Sequence, residues 1–161
     1  MAIGVYEKCV KDVMSREVVT IDAKDSVHEA LEVMAENKVA ALPVIDRDGR
    51  CVGILSTSDM MDVTRDVDAG LNEMENTGQL FWGEFIGKLG DHVGHQNVME
   101  LMSESVVAIT PDAPLSEAAS RMVREHIHRL PVIDASEIVV GIVSTTDVLR
   151  AFAECAPKAG K

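Results

Sequence analysis

The sequence predicts an α/β protein made of two β-α-β-β-α repeats packed through their sheets around a pseudo-two-fold, with a partly helical segment inserted between them. Three observations carry that prediction. First, Met14-Ser15 recurs as Met102-Ser103 and Leu42-Pro43-Val44-Ile45-Asp46 recurs as Leu130-Pro131-Val132-Ile133-Asp134, both 88 residues on. Val52-Gly53-Ile54 and Ser56-Thr57-Ser58-Asp59 return at that same offset as Val140-Gly141-Ile142 and Ser144-Thr145-Thr146-Asp147. Chance likeness between apolar segments drifts in register and does not restore polar residues at matching places. Second, short β-branched runs alternate with stretches of helical spacing inside each copy. Third, a sheet of about three strands flanked by two helices leaves one face bare, and a second copy packed sheet to sheet covers it.

Taken in order, the first repeat runs over 10–62. Val18 to Ile21 is a short strand, and Ser26-x-x-Glu29 reads as a capping box opening a helix with Val27, Ala30, Leu31 and Met34 on its inner face. Val39 to Ile45 and Cys51 to Leu55 are strands joined by the turn-forming cluster Asp46-Arg47-Asp48-Gly49. Helical spacing resumes after Ser56. The second repeat, 98–153, matches it with a strand Val106 to Ile109 and a helix with Leu115, Ala118, Ala119 and Met122 inward. Strands Leu130 to Ile133 and Val139 to Val143 and a last helix through Phe152 complete it.

The insert, 63–97, has no counterpart and holds Phe81, Trp82 and Phe85, three of the five aromatic residues. A helix starting near Thr77 and Gly78 puts Phe81, Phe85 and Leu89 on one face, with Gly90 near its end. Those rings either pack onto the double repeat or serve as a lid or dimer contact.

A length of 161 residues suits one compact domain or two very small ones. A formal net charge of −12 repels a phosphate backbone, so nucleic acid is disfavoured as a partner. A phosphate-bearing ligand then needs a local cluster of donors. The cysteines Cys9, Cys51 and Cys155 form no C-x-x-C pair, which argues against zinc and a disulfide framework and fits a cytoplasmic setting. The N-terminal residues lack an apolar run and nothing reaches the length of a membrane span.

Two segments are suited to ligand chemistry. Gly53 to Asp59 and Gly141 to Asp147 each run from a strand into a helix start, where free amides and the positive end of the helix dipole lie. Ser56 or Ser144 can donate to a phosphate, and Asp59 or Asp147, three residues on, can accept from ribose hydroxyls. The same residues also make a plain helix cap. Metal binding through His92-x-x-His95 or His126-x-His128 lacks a third ligand. No P-loop, G-x-S-x-G elbow or thiol–base pair appears, so catalysis has no candidate centre.

With its duplicated L-P-V-h-D strand and G-h-h-S/T-x-x-D step, the chain resembles the cystathionine β-synthase (CBS) domain family, whose members occur as tandem pairs. The resemblance covers 10–62 and 98–153. It implies a regulatory module, not an enzyme, binding AMP, ADP, ATP or S-adenosylmethionine in clefts between the repeats, without a required cofactor. By position, Asp59 and Asp147 would hold ribose and Ser56 and Ser144 would approach phosphate, with Thr145 also among the ligand-binding residues. Thr20, Ala108 and Ala41 would wall the adenine. His128-Arg129 stands where the first copy has Ala40-Ala41, so the second copy is better equipped for phosphate, Arg129 above all because a guanidinium binds phosphate oxygens bidentately. The expected partners are an adenosine-containing small molecule, a second copy of the chain and a regulated enzyme or transporter. The alternative is a homodimeric scaffold with empty clefts, its face built from Met60, Met61, Val148, Leu149 and Phe152, unless those helices pack within the chain.

Overall fold

The computed structural model describes residues 4–64 and 82–155, with the side chains of 62–64 and 82–86 left aside. The described chain forms β1 (Ile21–Asp22), α1 (Val27–Asn37), β2 (Ala41–Ile45), β3 (Cys51–Ser56), α2 (Thr57–Thr64), α3 (Trp82–Val93), α4 (Val98–Leu101), α5 (Leu115–Glu125), β4 (Arg129–Ile133), β5 (Val139–Ser144) and α6 (Thr145–Cys155). Two 3₁₀ turns, Val5–Glu7 and Val10–Asp12, precede them.

These elements gather into two compact units whose limits cut across the repeats. Unit 1 is 1–18 with 107–161, and unit 2 is 19–106. Each repeat therefore lends its leading segment to the other repeat's unit. In unit 1, Ser15 and Ile142 exchange N–H···O bonds of 2.9 Å in both directions, and Val10 and Met14 enter a core with Leu115, Met122, Leu130 and Val143. In unit 2, Ser103 and Ile54 exchange the same pair of bonds, at 2.9 and 3.0 Å, and Val98 joins Leu31, Met34, Leu42 and Leu55.

Local chemistry explains the elements of unit 2. Ser26 caps α1 by accepting from the Glu29 N–H at 3.2 Å, while Glu29 Oε2 accepts from the Ser26 N–H and hydroxyl at 2.8 and 2.9 Å. These donors hold the Glu29 carboxyl below its usual range, the backbone amide first and the hydroxyl second. Val27, Ala30, Leu31 and Met34 all bury, as their spacing predicts. Full burial of an aliphatic side chain such as Leu31 contributes about 1.5–3 kcal/mol. The helix ends on Lys38 in the left-handed region, φ 53°, without the glycine usual there.

The β2–β3 hairpin turns through Asp46, whose Oδ1 accepts from the Asp48 and Arg50 amides at 2.9 Å each, with Gly49 at φ 80°. Pro43 sits mid-strand opposite Ile54. Ile54 spends its own backbone groups on Ser103, so the missing Pro43 N–H costs no bond on that side.

Unit 1 repeats this plan with small departures. β4 and β5 pair antiparallel with Pro131 opposite Ile142 and carry the same bulge. Asp134 Oδ1 accepts from the Ser136 and Ile138 amides, but Glu137, not glycine, takes the turn's positive φ of 64°. α5 starts on Pro114 with no side-chain cap and ends on left-handed His126.

Three expectations are adjusted. The strand expected at Val18 to Ile21 pairs only at Ile21–Asp22, against Val44 and Ile45, and the one expected at Val106 to Ile109 is a single bridge from Ile109 to Val132. In the insert, Thr77, Gly78 and Phe81 and the side chains of Trp82 and Phe85 lie outside the described residues. α3 does pack on α1 and buries Leu89 and Val93, but it runs past Gly90. At Gly90 α1 lies close by, with His28 and Leu31 atoms 3.8 Å from where a Cβ would be.

Candidate functional site

Each unit brings one set of the sequence-predicted residues together. Unit 2 holds Thr20, Ala41, Ser56 and Asp59; unit 1 holds Ala108, His128, Arg129, Ser144, Thr145 and Asp147. The positions follow from the strand register. Ala41 pairs with Ser56 and Arg129 with Ser144, so each residue before a Leu-Pro lies across from the serine that starts the following helix. A further bond stitches the same end: the Thr57 N–H donates to the Ala40 carbonyl and the Thr145 N–H to the His128 carbonyl, both at 3.0 Å. Thr20 and Ala108 immediately precede Ile21 and Ile109, which pair with Val44 and Val132 on the other side of the LPV strand.

The serine and aspartate form capping boxes. The Ser144 hydroxyl donates to Asp147 Oδ2 at 2.7 Å, the Ser144 N–H donates to the same oxygen at 2.8 Å, and the Asp147 N–H donates back to Ser144 Oγ at 3.2 Å. Ser56 and Asp59 repeat this at 2.6, 2.8 and 3.3 Å. The plain cap is therefore present in both units. It uses one carboxylate oxygen and the serine's only O–H, and leaves Oδ1.

The two sets differ in charge. In unit 1, Arg129 is exposed beside Ser144, His128 is exposed next to it, and Arg150 Nη1 lies 3.3 Å from Asp147 Oδ1. The corresponding positions of unit 2 are Ala41, Ala40 and Asp62. Arg121 adds a second difference: its Nη1 donates to the Ala108 carbonyl at 2.6 Å and its Nη2 to Glu117 Oε1 at 2.6 Å. Neither Arg121 nor Arg150 was singled out from the sequence. The Glu117-x-x-x-Arg121 spacing marks a helical ion pair but not the bond back to Ala108.

The remaining chemistry is sparse. The Cys51 thiol is pushed up by burial, which disfavours its thiolate. Among the described residues no group of three or more His, Cys, Asp or Glu is placed to hold a metal ion. No helix among them is long and apolar enough to cross a membrane. A groove of about 520 Å³ in unit 2, bordered by Asp22, Lys24, Asp46, Arg47, Val52 and Met102, includes none of the predicted site residues. Met60 is fully buried in the unit 2 core, so it packs within the chain and is not a dimer contact, whereas Leu149 and Phe152 are 67% and 60% exposed.

Two α/β units, each with a hairpin feeding a capped helix and each completed by the other repeat's leading segment, define a tandem-repeat module. The CBS domain family matches residues 10–66 and 98–154, and the chain belongs to that family. Among relatives, it is 30% identical over 153 residues to an uncharacterised protein of Methanocaldococcus jannaschii, covering 89% of this chain and 90% of that one. It is 28% identical over 145 residues to a homoserine O-acetyltransferase of Methanohalobium evestigatum, covering 90% of this chain but only 24% of that enzyme. Among solved structures, CBSX2 in complex with AMP superposes with a TM-score of 0.68 at 28% identity, over 91% of this chain and 96% of that one. The CBS domain pair of protein MJ0100, in complex with 5′-methylthioadenosine and S-adenosylmethionine, gives 0.68 at 25% identity over 92% and 98%.

Proposed function

We propose that the chain is a regulatory sensor module that binds adenosine-containing ligands such as AMP, ADP, ATP or S-adenosylmethionine, and that unit 1 is the better site for a phosphate-bearing one. The observation that supports this reading is the strand register, which pairs Arg129 with Ser144 at the start of the following helix. There a cation, the helix dipole and the Thr146 N–H, which has no partner among the described residues, favour an anion. Asp147 Oδ1 accepts a ribose hydroxyl once Arg150 moves aside. The ligands of CBSX2 and of the MJ0100 domain pair support the adenosine moiety. Occupancy regulates a partner only if the ligand prefers one arrangement of the module, since equal affinity for all shifts nothing.

Isothermal titration of the full chain with AMP, ATP and S-adenosylmethionine tests the reading. Binding of an adenine nucleotide that weakens by about tenfold or more in Arg129→Ala, the effect of losing a charge-assisted phosphate contact, supports it. No heat and no thermal shift with any of the three overturns it.

A second reading, a homodimeric scaffold, rests on the exposure of Leu149 and Phe152 on α6. Sedimentation separates the two. Under the scaffold reading Phe152→Asp dissociates a dimer and Asp147→Ala changes little; under the sensor reading Asp147→Ala weakens binding while the association state persists.

A further inference from the structure

We propose that the groove of unit 2, away from the residues assigned to the nucleotide, binds a small zwitterion with an apolar side chain, the chemistry of a free amino acid such as leucine. This inference does not depend on the adenosine reading. The groove's volume of about 520 Å³ falls within the range of about 300–1,000 Å³ common for small-molecule sites. Its border comes from unit 2 alone: the turn after β1, the β2–β3 hairpin, and Met99 and Met102 in and after α4. Comparison with unit 1 shows why it stays open. The Met99 N–H donates to the Ala23 carbonyl at 3.2 Å, and at the matching positions the Lys11 N–H donates to the Pro111 carbonyl at 2.9 Å, so the two backbones run alike. The side chains do not. In unit 1, Lys11 Nζ reaches Asp112 Oδ1 at 2.6 Å and ties the two segments together. The same positions of unit 2 are Met99 and Lys24, which form no such pair, and Ala135 and Ser136 of the unit 1 hairpin become Arg47 and Asp48.

The groove therefore combines an apolar floor with uncommitted charges of both signs. Met99 is 52% exposed there, beside Val52 and Met102. The Lys24 and Arg47 side chains have no hydrogen-bond or ion-pair partner among the described residues, and neither does the Asp48 carboxylate. Asp46 spends Oδ1 on the Asp48 and Arg50 amides and keeps Oδ2. These charges select the ligand. A net anion approaches against the field of a chain of net charge −12, and a net cation leaves Lys24 and Arg47 unanswered. A zwitterion meets neither objection. Arg47 and Lys24 take its carboxylate, the guanidinium through two parallel bonds, and Asp48 accepts from its ammonium. An apolar side chain then covers Met99, whose flexible thioether conforms to branched and linear chains alike, and the apolar surface removed from water adds to binding.

The test is calorimetric titration of the full chain with L-leucine, glycine, isocaproate and isoamylamine. Leucine is expected to bind with a dissociation constant of about 1 mM or tighter. The other three lack the side chain, the ammonium and the carboxylate in turn, and each is expected to bind at least about tenfold more weakly. Arg47→Ala, which installs the unit 1 residue on an exposed turn, is expected to weaken leucine binding by about tenfold. Lys24→Asp combined with Met99→Lys installs the unit 1 ion pair across the groove and is expected to abolish leucine binding while leaving any response to AMP as in wild type. Unit 1 folds with that pair in place, and Arg47→Ala stands in if the double variant does not. No binding of leucine overturns the proposal, as does leucine binding that both variants leave unchanged. Isocaproate binding as tightly as leucine overturns it too, because the groove then reads an apolar acid. Leucine binding lost in the double variant, in a protein that gives no heat with AMP, supports the proposal and counts only against the adenosine reading.

Discussion

Gly141→Ala should be among the most damaging single-methyl additions in unit 1. A Cβ at Gly141 meets Met14 Sδ at 2.5 Å, Met14 Cγ at 3.1 Å and the Ser15 carbonyl oxygen at 2.9 Å. The first two contacts belong to a flexible side chain that can swing away at modest cost. The third is backbone, and that carbonyl is fixed by the 2.9 Å bond it accepts from Ile142 N–H. Relieving it means lifting Ser15 off β5 and losing both bonds of the bridge. Overpacking costs about 1–3 kcal/mol and each of the two lost bonds about 0.5–1.5, so a net loss of about 2–6 kcal/mol is expected. For a chain of this size that lowers the thermal midpoint by about 4–24 °C, measured by calorimetry or circular dichroism. Because the backbone contact decides the outcome, adding Met14→Ala should not rescue the variant, and the double mutant should melt lower still for the cavity it opens. A Gly141→Ala midpoint within about 1 °C of wild type, on that same scale, or a double mutant more stable than the single, would refute the reasoning.

Glu137→Gly should raise stability by about 0.5–1 kcal/mol in urea titration, since the left-handed cost to a side chain at φ 64° exceeds the added chain entropy of glycine; the matching position in the first repeat, Gly49, already has it. Glu29 keeps its proton less readily in the folded state than in the unfolded one, so its contribution is present above the usual glutamate range of about 4.3 and is lost as pH falls through its lowered folded value. Acid titration followed by fluorescence or circular dichroism should therefore show a steeper loss in wild type than in Glu29→Gln below about pH 4, and identical slopes would contradict the capping assignment. A fragment 19–106 should fold with a cooperative melt, whereas 10–62, one whole repeat by sequence, should not, because it lacks the Val98 and Ser103 contacts that complete its unit; a well-dispersed amide spectrum from 10–62 would count against the exchange of segments.

The periodic elements were legible because burial and spacing agree. Val27, Ala30, Leu31 and Met34 repeat at helical intervals and all four bury, and the turn cluster from Asp46 to Gly49 carries its own hydrogen-bond chemistry. The segment exchange was not legible. Met14-Ser15 and Met102-Ser103 advertise the repeat, but nothing local says that each docks on the other copy's hairpin; that depends on two glycines, Gly141 and Gly53, that leave room for the methionines. The helix ends at Lys38 and His126 escaped notice for a related reason. Glycine is the usual signal for a left-handed residue, and here charged or polar side chains take that conformation without it. At the candidate site, the pairing of Arg129 with Ser144 followed from the LPVID strand and the VVGIVS strand being neighbours in a hairpin, while the Arg121 bond needed a contact between positions 13 residues apart.

The capping boxes sharpen what each site residue can do for a ligand. In unit 1 the Ser144 O–H is already donated to Asp147 Oδ2, so turning it to a phosphate would break a cap worth about 0.5–2 kcal/mol. Among the described residues Asp147 Oδ1 is held only by Arg150, whose side chain is 64% exposed, and an ion pair of that kind contributes about 0–1 kcal/mol. A ribose hydroxyl can take Oδ1 from Arg150 at small cost, whereas a phosphate gains little by displacing the serine. On the proposed sensor reading the box would act as scaffolding: it holds the Asp147 side chain through Oδ2, so Oδ1 would face the ribose and the anion would fall to Arg129 and the Thr146 N–H. Arg129→Ala should then weaken nucleotide binding more than Ser144→Ala does, and Ser144→Ala should show its effect chiefly in stability.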